Sequence, residues 1–596
     1  MAQPAAQTDR DLASIAEART LARRAKAAAP ILAEYSQQQI DAIVDAMAAA
    51  ATPQAEALAR LAHEETGYGI VADKIQKNLF ASQRIYNFIK PMKTVGVVAR
   101  YDDRKVVEIA EPFGVVAAIV PTTNPTSTAL YKILISLKAR CPIVISPHPS
   151  AVRCITRSAE IMYEAARGAG APDGAINWMT QVTLEGTQEL MKARETAVIL
   201  ATGGMGLVRA AYSAGKPAYG VGPGNAPAYI ERSADVQKAV RDIVNGKTFD
   251  NGLLCSSENS VVVDAPLVDE VKRQFVANGA HFLSAAEAAL LGKALVTPQR
   301  LPNPAFVGRA AVYIAQQVGI AVAPGTRVLI AELAGVGRDY PLSIEKLCPV
   351  LSFYVVADWK EGCERCQQIL RYGGMGHTMS IHSRNEDVIL QFGLKKPAFR
   401  IVVNTLTTLG AIGLTTGLDP SMTLGCGGWG GNITSDNISP KHLLNIKRLA
   451  YETTPYQPIR YVAEAATGIG GPAAGGSPAA GLPKVPQPPR ETGIGAELLA
   501  RRIDQFLSSR GYSPPPASPE KGVTAPVETP APRAGSTPAV TAPVTGKPAD
   551  FVCEDDVRQA VRQGRKIVIG ERTIVTPAAR DLGEQHRVLV QAGLKP

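Results

Sequence analysis

No stretch of this chain approaches the roughly 20 apolar residues that a membrane-spanning helix needs, so no membrane partner is expected. The first ten residues, Met1 to Arg10, hold no apolar core and no signal-peptide pattern. Aromatic residues make up only 5% of the sequence and are not interleaved with basic ones. The net charge of +10 therefore reads as solvated faces and a basic tail, not as a nucleic-acid channel. A disulfide framework is also lacking. The 8 cysteines in 596 residues follow no paired pattern, which points to reduced thiols and a cytoplasmic setting. Cys363 and Cys366 form a CxxC inside an amphipathic run from Asp358 to Leu370. With no second CxxC and no nearby His pair, no metal site is expected there.

A chain this long needs two or more domains. Residues 8–90 place apolar side chains at helical spacing, as at Ile40, Ile43, Val44 and Met47. Two β-branched runs, 95–101 and 106–110, predict a hairpin turning near Asp102 and Asp103. Short apolar strands then alternate with helices: a strand over 115–120, a helix over 127–139, a strand over 142–146, a helix to about Gly168, and a strand over 198–201. That alternation predicts an α/β fold with a parallel sheet covered on both faces. Ligands of such sheets sit outside the carboxyl ends of the strands. The expected division is a cofactor-binding domain over 1–224, with the N-terminal helices and part of an oligomerisation flap. A catalytic domain over 225–425 follows. A return segment over 426–456 closes with a helix from Pro440 to Tyr451.

Beyond Tyr456 the composition turns to Pro, Gly, Ala, Ser and Thr, which reads as a flexible linker over 457–550. Residues 495–512 interrupt it as an amphipathic helix, with Leu499, Ile503, Phe506 and Leu507 on one face. A helix that short is marginal alone and needs a surface to dock on. The last segment, 551–596, predicts a helix over 554–563, strands over 566–569 and 573–575 with a turn at Gly570, and a helix opened by Pro577.

Chemistry centres on residues 245–260, which place Cys255 just after the turn-forming pair Asn251-Gly252. A cysteine there can begin a short helix, whose dipole would favour the thiolate. Most cysteines are small buried hydrophobes, so the surrounding loops carry the decision. In Pro121-Thr122-Thr123-Asn124-Pro125 an amide held between prolines can donate to an oxyanion. In Thr202 to Gly206, Gly204 and Gly206 supply a G-x-G, but Arg209 stands where a third glycine would complete the dinucleotide fingerprint. This loop is a phosphate-approach loop or a plain tight turn. Gly220 to Asn225 lets backbone come close to a cofactor face. Glu258, one helical turn past Cys255, is expected to cap or pair rather than titrate.

Together these stretches resemble a known family. Residues 249–260 resemble the nucleophile loop of the CoA-acylating aldehyde dehydrogenases, and residues 121–125 their oxyanion loop. Residues 146–149, 220–227, 345–350 and 423–432 resemble further stretches in the family's order, and the similarity covers about Ala27 to Tyr456. The resemblance implies an α/β enzyme with a Rossmann-like cofactor domain, a catalytic domain and a β-flap that builds a homodimer or homotetramer. It implies Cys255 as nucleophile, with Asn124 and the Cys255 N–H as oxyanion donors. It implies NAD as cofactor, held by Thr122, Thr123, Pro147, His148, Gly204, Gly206, Gly222, Gly224 and Glu345, the last at the nicotinamide ribose. His148 is otherwise a plain loop histidine. His377 falls near the thiol or the coenzyme A site.

Hydrolytic relatives place a glutamate in the stretch that matches 220–224, where it activates water, and this chain has no acid there. Ile145-Ser146 also lacks the lysine that many hydrolytic members set on the adenine ribose. The tail resembles the shell- or cargo-binding peptides of bacterial-microcompartment enzymes; the alternative is a helix that caps the oligomer. The expected function is conversion of propanal or acetaldehyde, with coenzyme A and NAD, to the acyl-CoA inside a microcompartment lumen. Its rivals are a hydrolytic aldehyde dehydrogenase and a catalytically degenerate docking scaffold.

Overall fold

The structure, a computed structural model, describes residues 3–456 and 549–591 except Thr576. The expected amphipathic helix over 495–512 lies outside the described residues. The chain divides into two units, Met1–Val462 and Ala463–Pro596.

The first unit opens with helices. Ser36 and Gln39 form a reciprocal cap that starts the helix Gln37–Ala51, whose apolar face buries Ile40, Ile43, Val44 and Met47. The helix Val71–Leu79 runs into a π-helical stretch at Phe80–Ile85. Strands β1 (Gly96–Tyr101) and β2 (Val106–Pro112) make the expected hairpin. Strands β3 (Val115–Val120), β4 (Ile143–Pro147), β5 (Ile176–Trp178), β6 (Thr196–Thr202) and β7 (Ala218–Val221) form a parallel sheet in the order β5-β4-β3-β6-β7. Every residue of β3 is buried, as a central strand covered on both faces requires. The order reverses beside β3, which opens a crevice at the carboxyl ends. Lys132 secures this point, its Nζ donating to the carbonyls of Ile119 (2.7 Å) and Leu200 (2.8 Å) at the ends of β3 and β6.

A seven-stranded parallel sheet follows. It contains β8 (Ala226–Ile230), β9 (Glu258–Asp264), β10 (Ala280–Phe282), β11 (Val328–Glu332), β12 (Val350–Val356), β13 (Gly376–His382) and β14 (Ala398–Val403), in the order β10-β11-β12-β9-β8-β13-β14. The CxxC cysteines are buried on the helix Trp359–Tyr372, which Asp358 caps.

Residues 440–451 do not form the expected helix. A short 3-10 turn, Pro440–Leu443, leads into β15 (Leu444–Ala450), which pairs antiparallel with β2. The helical-looking spacing yielded to the hydrogen-bonding edge that β2 offers. The second unit is a parallel sheet of β16 (Ala549–Val552), β17 (Ile567–Val575) and β18 (Leu589–Gln591), with helices Glu554–Arg562 and Pro577–Gln585. The expected turn at Gly570 is instead an irregularity within one strand: β18 pairs with 567–569, and the register against β16 slips between Ile569 and Ile574.

Candidate active site

Nine of the twelve expected site residues surround one cavity of about 420 Å³ at the carboxyl ends of β3, β4, β6 and β7. Thr122, Thr123 and Asn124 enter from β3, Pro147 and His148 from β4, Gly204 from β6 and Gly222 from β7. Cys255 and Glu345 enter from the seven-stranded unit. Ile119, Val182, Leu184 and Leu207 add an apolar wall. Thr202 Oγ1 is buried there without a hydrogen-bond partner among the described residues, a polar atom waiting for a ligand. A crevice with apolar walls, a Gly-rich turn and a spare hydroxyl fits a dinucleotide. Among the described residues no lysine or arginine lines it.

Three expected residues stand outside that lining. Gly206 is exposed in the first turn of the helix Met205–Tyr212. Gly224 lies behind the cysteine. A Cβ on it would fall 2.0 Å from the Cys255 carbonyl oxygen, so only glycine allows this approach. Its N–H donates to Glu345 Oε1 at 2.9 Å, which holds that carboxylate in place. His377 is buried, with Nδ1 2.9 Å from Thr378 Oγ1 and Nε2 unpartnered. Burial, and then the nearby Arg400, lower its pKa to about 3, so it is a neutral ring.

Cys255 does not begin a helix. A distorted 3-10 stretch, Phe249–Gly252, precedes it, and β9 starts three residues on. Instead of a helix dipole, the thiol meets burial, the Glu345 carboxylate and the Cys426 thiol, which push its pKa up to about 12. The resting sulfur is therefore protonated. Glu258 is likewise not a helical turn past the cysteine but the first residue of β9. Its carboxylate accepts from Thr407 N (2.6 Å) and Thr408 Oγ1 (3.0 Å), and burial raises its pKa to about 7. It does cap, at the short helix Thr407–Gly410, yet it also titrates near neutrality. Burial also raises Glu345 to about 8 and lowers His148.

Sequence reasoning missed a cluster beneath the site. Asp250 lies at φ +47° and is followed by Asn251 at +54° and Gly252 at +74°. Its carboxylate accepts from Lys77 Nζ, from Lys74 Nζ (3.0 Å) and from Ile70 N (2.6 Å). Burial pushes this carboxyl up, but Lys77 and Lys74 outweigh it and hold it below its usual value. Lys77 Nζ also donates to Asn124 Oδ1 at 2.7 Å. The one signal in the sequence was the i, i+3 spacing of Lys74 and Lys77, which looks like any basic helix face.

Fold and site together define an α/β protein with two parallel sheets whose cysteine faces a dinucleotide-type crevice. The sequence pattern of the aldehyde dehydrogenase family matches residues 5–287. The chain is 42% identical to the bifunctional aldehyde-alcohol dehydrogenase of Escherichia coli over 442 residues, 73% of this chain and 50% of that protein. It thus spans about half the length of the bifunctional aldehyde-alcohol dehydrogenases it matches. Its structure matches an acetylating aldehyde dehydrogenase from Geobacillus thermoglucosidasius with a TM-score of 0.74 and 50% identity, over 75% of this chain and 99% of that one. It also matches the propionaldehyde dehydrogenase of the Clostridium phytofermentans fucose utilisation bacterial microcompartment (TM-score 0.66, 28% identity, 72% and 96% of the two chains). A third match is the Rhodopseudomonas palustris propionaldehyde dehydrogenase, solved with bound CoA and an acylated cysteine (TM-score 0.66, 25% identity, 73% and 97%). The chain belongs to the aldehyde dehydrogenase family.

Proposed function

We propose that this protein is a CoA-acylating aldehyde dehydrogenase that turns propanal or acetaldehyde, coenzyme A and NAD+ into the acyl-CoA, NADH and a proton. The observation that carries this reading is the wall beside Cys255. Where a hydrolytic enzyme needs a water-activating acid, the cavity is lined by Val221, Gly222 and Pro223. The carboxylate that does share the cavity, Glu345, is tied to the Gly224 N–H. The Rhodopseudomonas enzyme, which holds CoA and an acyl-cysteine, supports the same course.

Cys255 Sγ adds to the aldehyde carbonyl as the thiol gives up its proton. The new oxyanion receives hydrogen bonds from Asn124 Nδ2 and the Cys255 N–H. A nicotinamide dinucleotide, where the crevice residues would hold it, would supply the acceptor for the hydride that leaves the thiohemiacetal carbon. Cys255 is left as a thioester, which the CoA thiol attacks to release acyl-CoA and restore the cysteine. Thr122, Thr123, His148 and Gly204 line the crevice for this cofactor, and Glu345 positions the ribose. A crevice without lysine or arginine offers no counter-charge to a ribose phosphate, which favours NAD over NADP. Neutral, buried His377 beside Gly224 serves the CoA side of the cysteine.

Among the described residues the sheet β1-β2-β15 leaves β1 and β15 as free edges, with Leu449 and Tyr451 exposed, and so supports assembly into a dimer or tetramer. The amphipathic segment 495–512 docks the enzyme to shell or cargo proteins of a microcompartment, as its composition and the Clostridium relative suggest. The decisive assay follows NADH formation from propanal with and without coenzyme A. Acid formed at an undiminished rate without coenzyme A rejects the acylating function.

A further inference from the structure

We propose that Lys77 is the positioning residue of the oxyanion amide, fixing the Asn124 carboxamide in the one orientation that leaves its NH2 edge to the cavity. This rests on the acylating reading above. An ammonium has three donors and no acceptor, so it can meet a carboxamide only at the oxygen. Lys77 Nζ lies 2.7 Å from Asn124 Oδ1. The opposite edge, Nδ2, sits 3.2 Å from Thr123 Oγ1, which takes one of its two hydrogens. The second remains for the oxyanion. A flipped amide would set NH2 against a buried ammonium.

The same ammonium reaches the loop that carries the nucleophile. Asp250, five residues before Cys255, is 0% exposed and accepts from both Lys77 and Lys74, themselves 3% and 2% exposed. Its backbone N–H donates to Asp73 Oδ2 at 2.7 Å. These contacts hold Asp250 and Asn251 in a left-handed conformation that costs energy for non-glycine residues. Lys74 alone would balance the Asp250 charge. The partner that only Lys77 reaches is Asn124. One ammonium thus binds the two loops that bring the donors of the oxyanion hole, the Asn124 amide and the Cys255 N–H. Their spacing is the quantity on which stabilisation of a developing charge depends.

The test is a double-mutant cycle on the full-length enzyme, read as NADH release from propanal with and without coenzyme A. Lys77→Met is expected to lower kcat by about ten- to a hundredfold while the KM for NAD+ stays within about twofold. In an Asn124→Ala background the same substitution should cost at least about fivefold less than in the wild type, because the amide it positions directly is gone and only its hold on the Asp250 loop remains. Lys77→Arg keeps donors only and should retain more activity than Lys77→Gln, whose oxygen permits the flipped amide. That ordering carries the test if the methionine variant does not fold. Additive losses in the cycle, or glutamine matching arginine, overturn the role of Lys77. Wild-type turnover that ignores coenzyme A overturns the acylating reading and leaves the cycle readable.

Discussion

At the scale of single residues, the site depends on a sulfur atom kept protonated by its surroundings. Burial, Glu345 and Cys426 push the Cys255 thiol up to about 12. Below such a pKa the thiolate fraction grows tenfold per pH unit. Alkylation of Cys255 in the free enzyme by iodoacetamide should therefore accelerate about tenfold per unit from pH 7 to pH 10. A plateau below pH 9 contradicts this. On the proposed mechanism Asn124→Ala removes an oxyanion donor and should lower kcat about a hundred- to a thousandfold, measured as CoA-dependent NADH formation. Cys255 and Asn124 were legible in the sequence because each lies on a loop with a local signature of glycine, asparagine or proline. Lys77 was not. Its partners Asn124 and Asp250 are 47 and 173 positions away, and a lysine on an amphipathic helix looks solvated until the fold buries it.

At the scale of elements, β9 shows how a strand carries a charge into the interior. Glu258 at its start sits against Gly246, where a Cβ would come within 2.3 Å of Glu258 Oε2. No lysine or arginine pairs with it among the described ion pairs. Its folded pKa of about 7 lies above the unfolded value, so the native state binds the extra proton. This contribution to stability is present at low pH and falls as pH rises from about 4.5 to about 7. Glu258→Gln should raise the melting temperature at pH 8, with little gain at pH 4.5. An equal effect at both pH values counts against the assignment. Elements were misread from sequence where a distant edge chose the structure. Leu444–Ala450 has apolar positions compatible with either period and became a strand because β2 was free to pair. Residues 567–575 stay one strand with a slip in register after Ile569, because β18 pairs with its first half and β16 holds its end.

At the scale of the whole molecule, the first unit, Met1–Val462, holds both large parallel sheets and the complete cavity. The Geobacillus enzyme is covered to 99% by 75% of this chain. A chain ending at Val462 should therefore fold alone and keep CoA-dependent NADH formation within about twofold of the full-length rate. Loss of activity with retained folding would show that the tail takes part in catalysis. A fusion of residues 495–512 to a fluorescent protein, co-expressed with shell proteins, should collect in foci. Diffuse fluorescence contradicts the docking role.

The order of strands and helices, the Gly-rich loops and the cysteine were set by local sequence, because turn chemistry and hydrophobic period act over a few neighbouring residues. The protonation of Cys255, the grip of Lys77 on Asn124 and Asp250, and the burial of Glu258 were decided only by tertiary structure. Each depends on charges and dipoles brought together from distant parts of the chain and removed from water. Desolvation and charge pairing follow distance in space, and no pattern along the sequence records it.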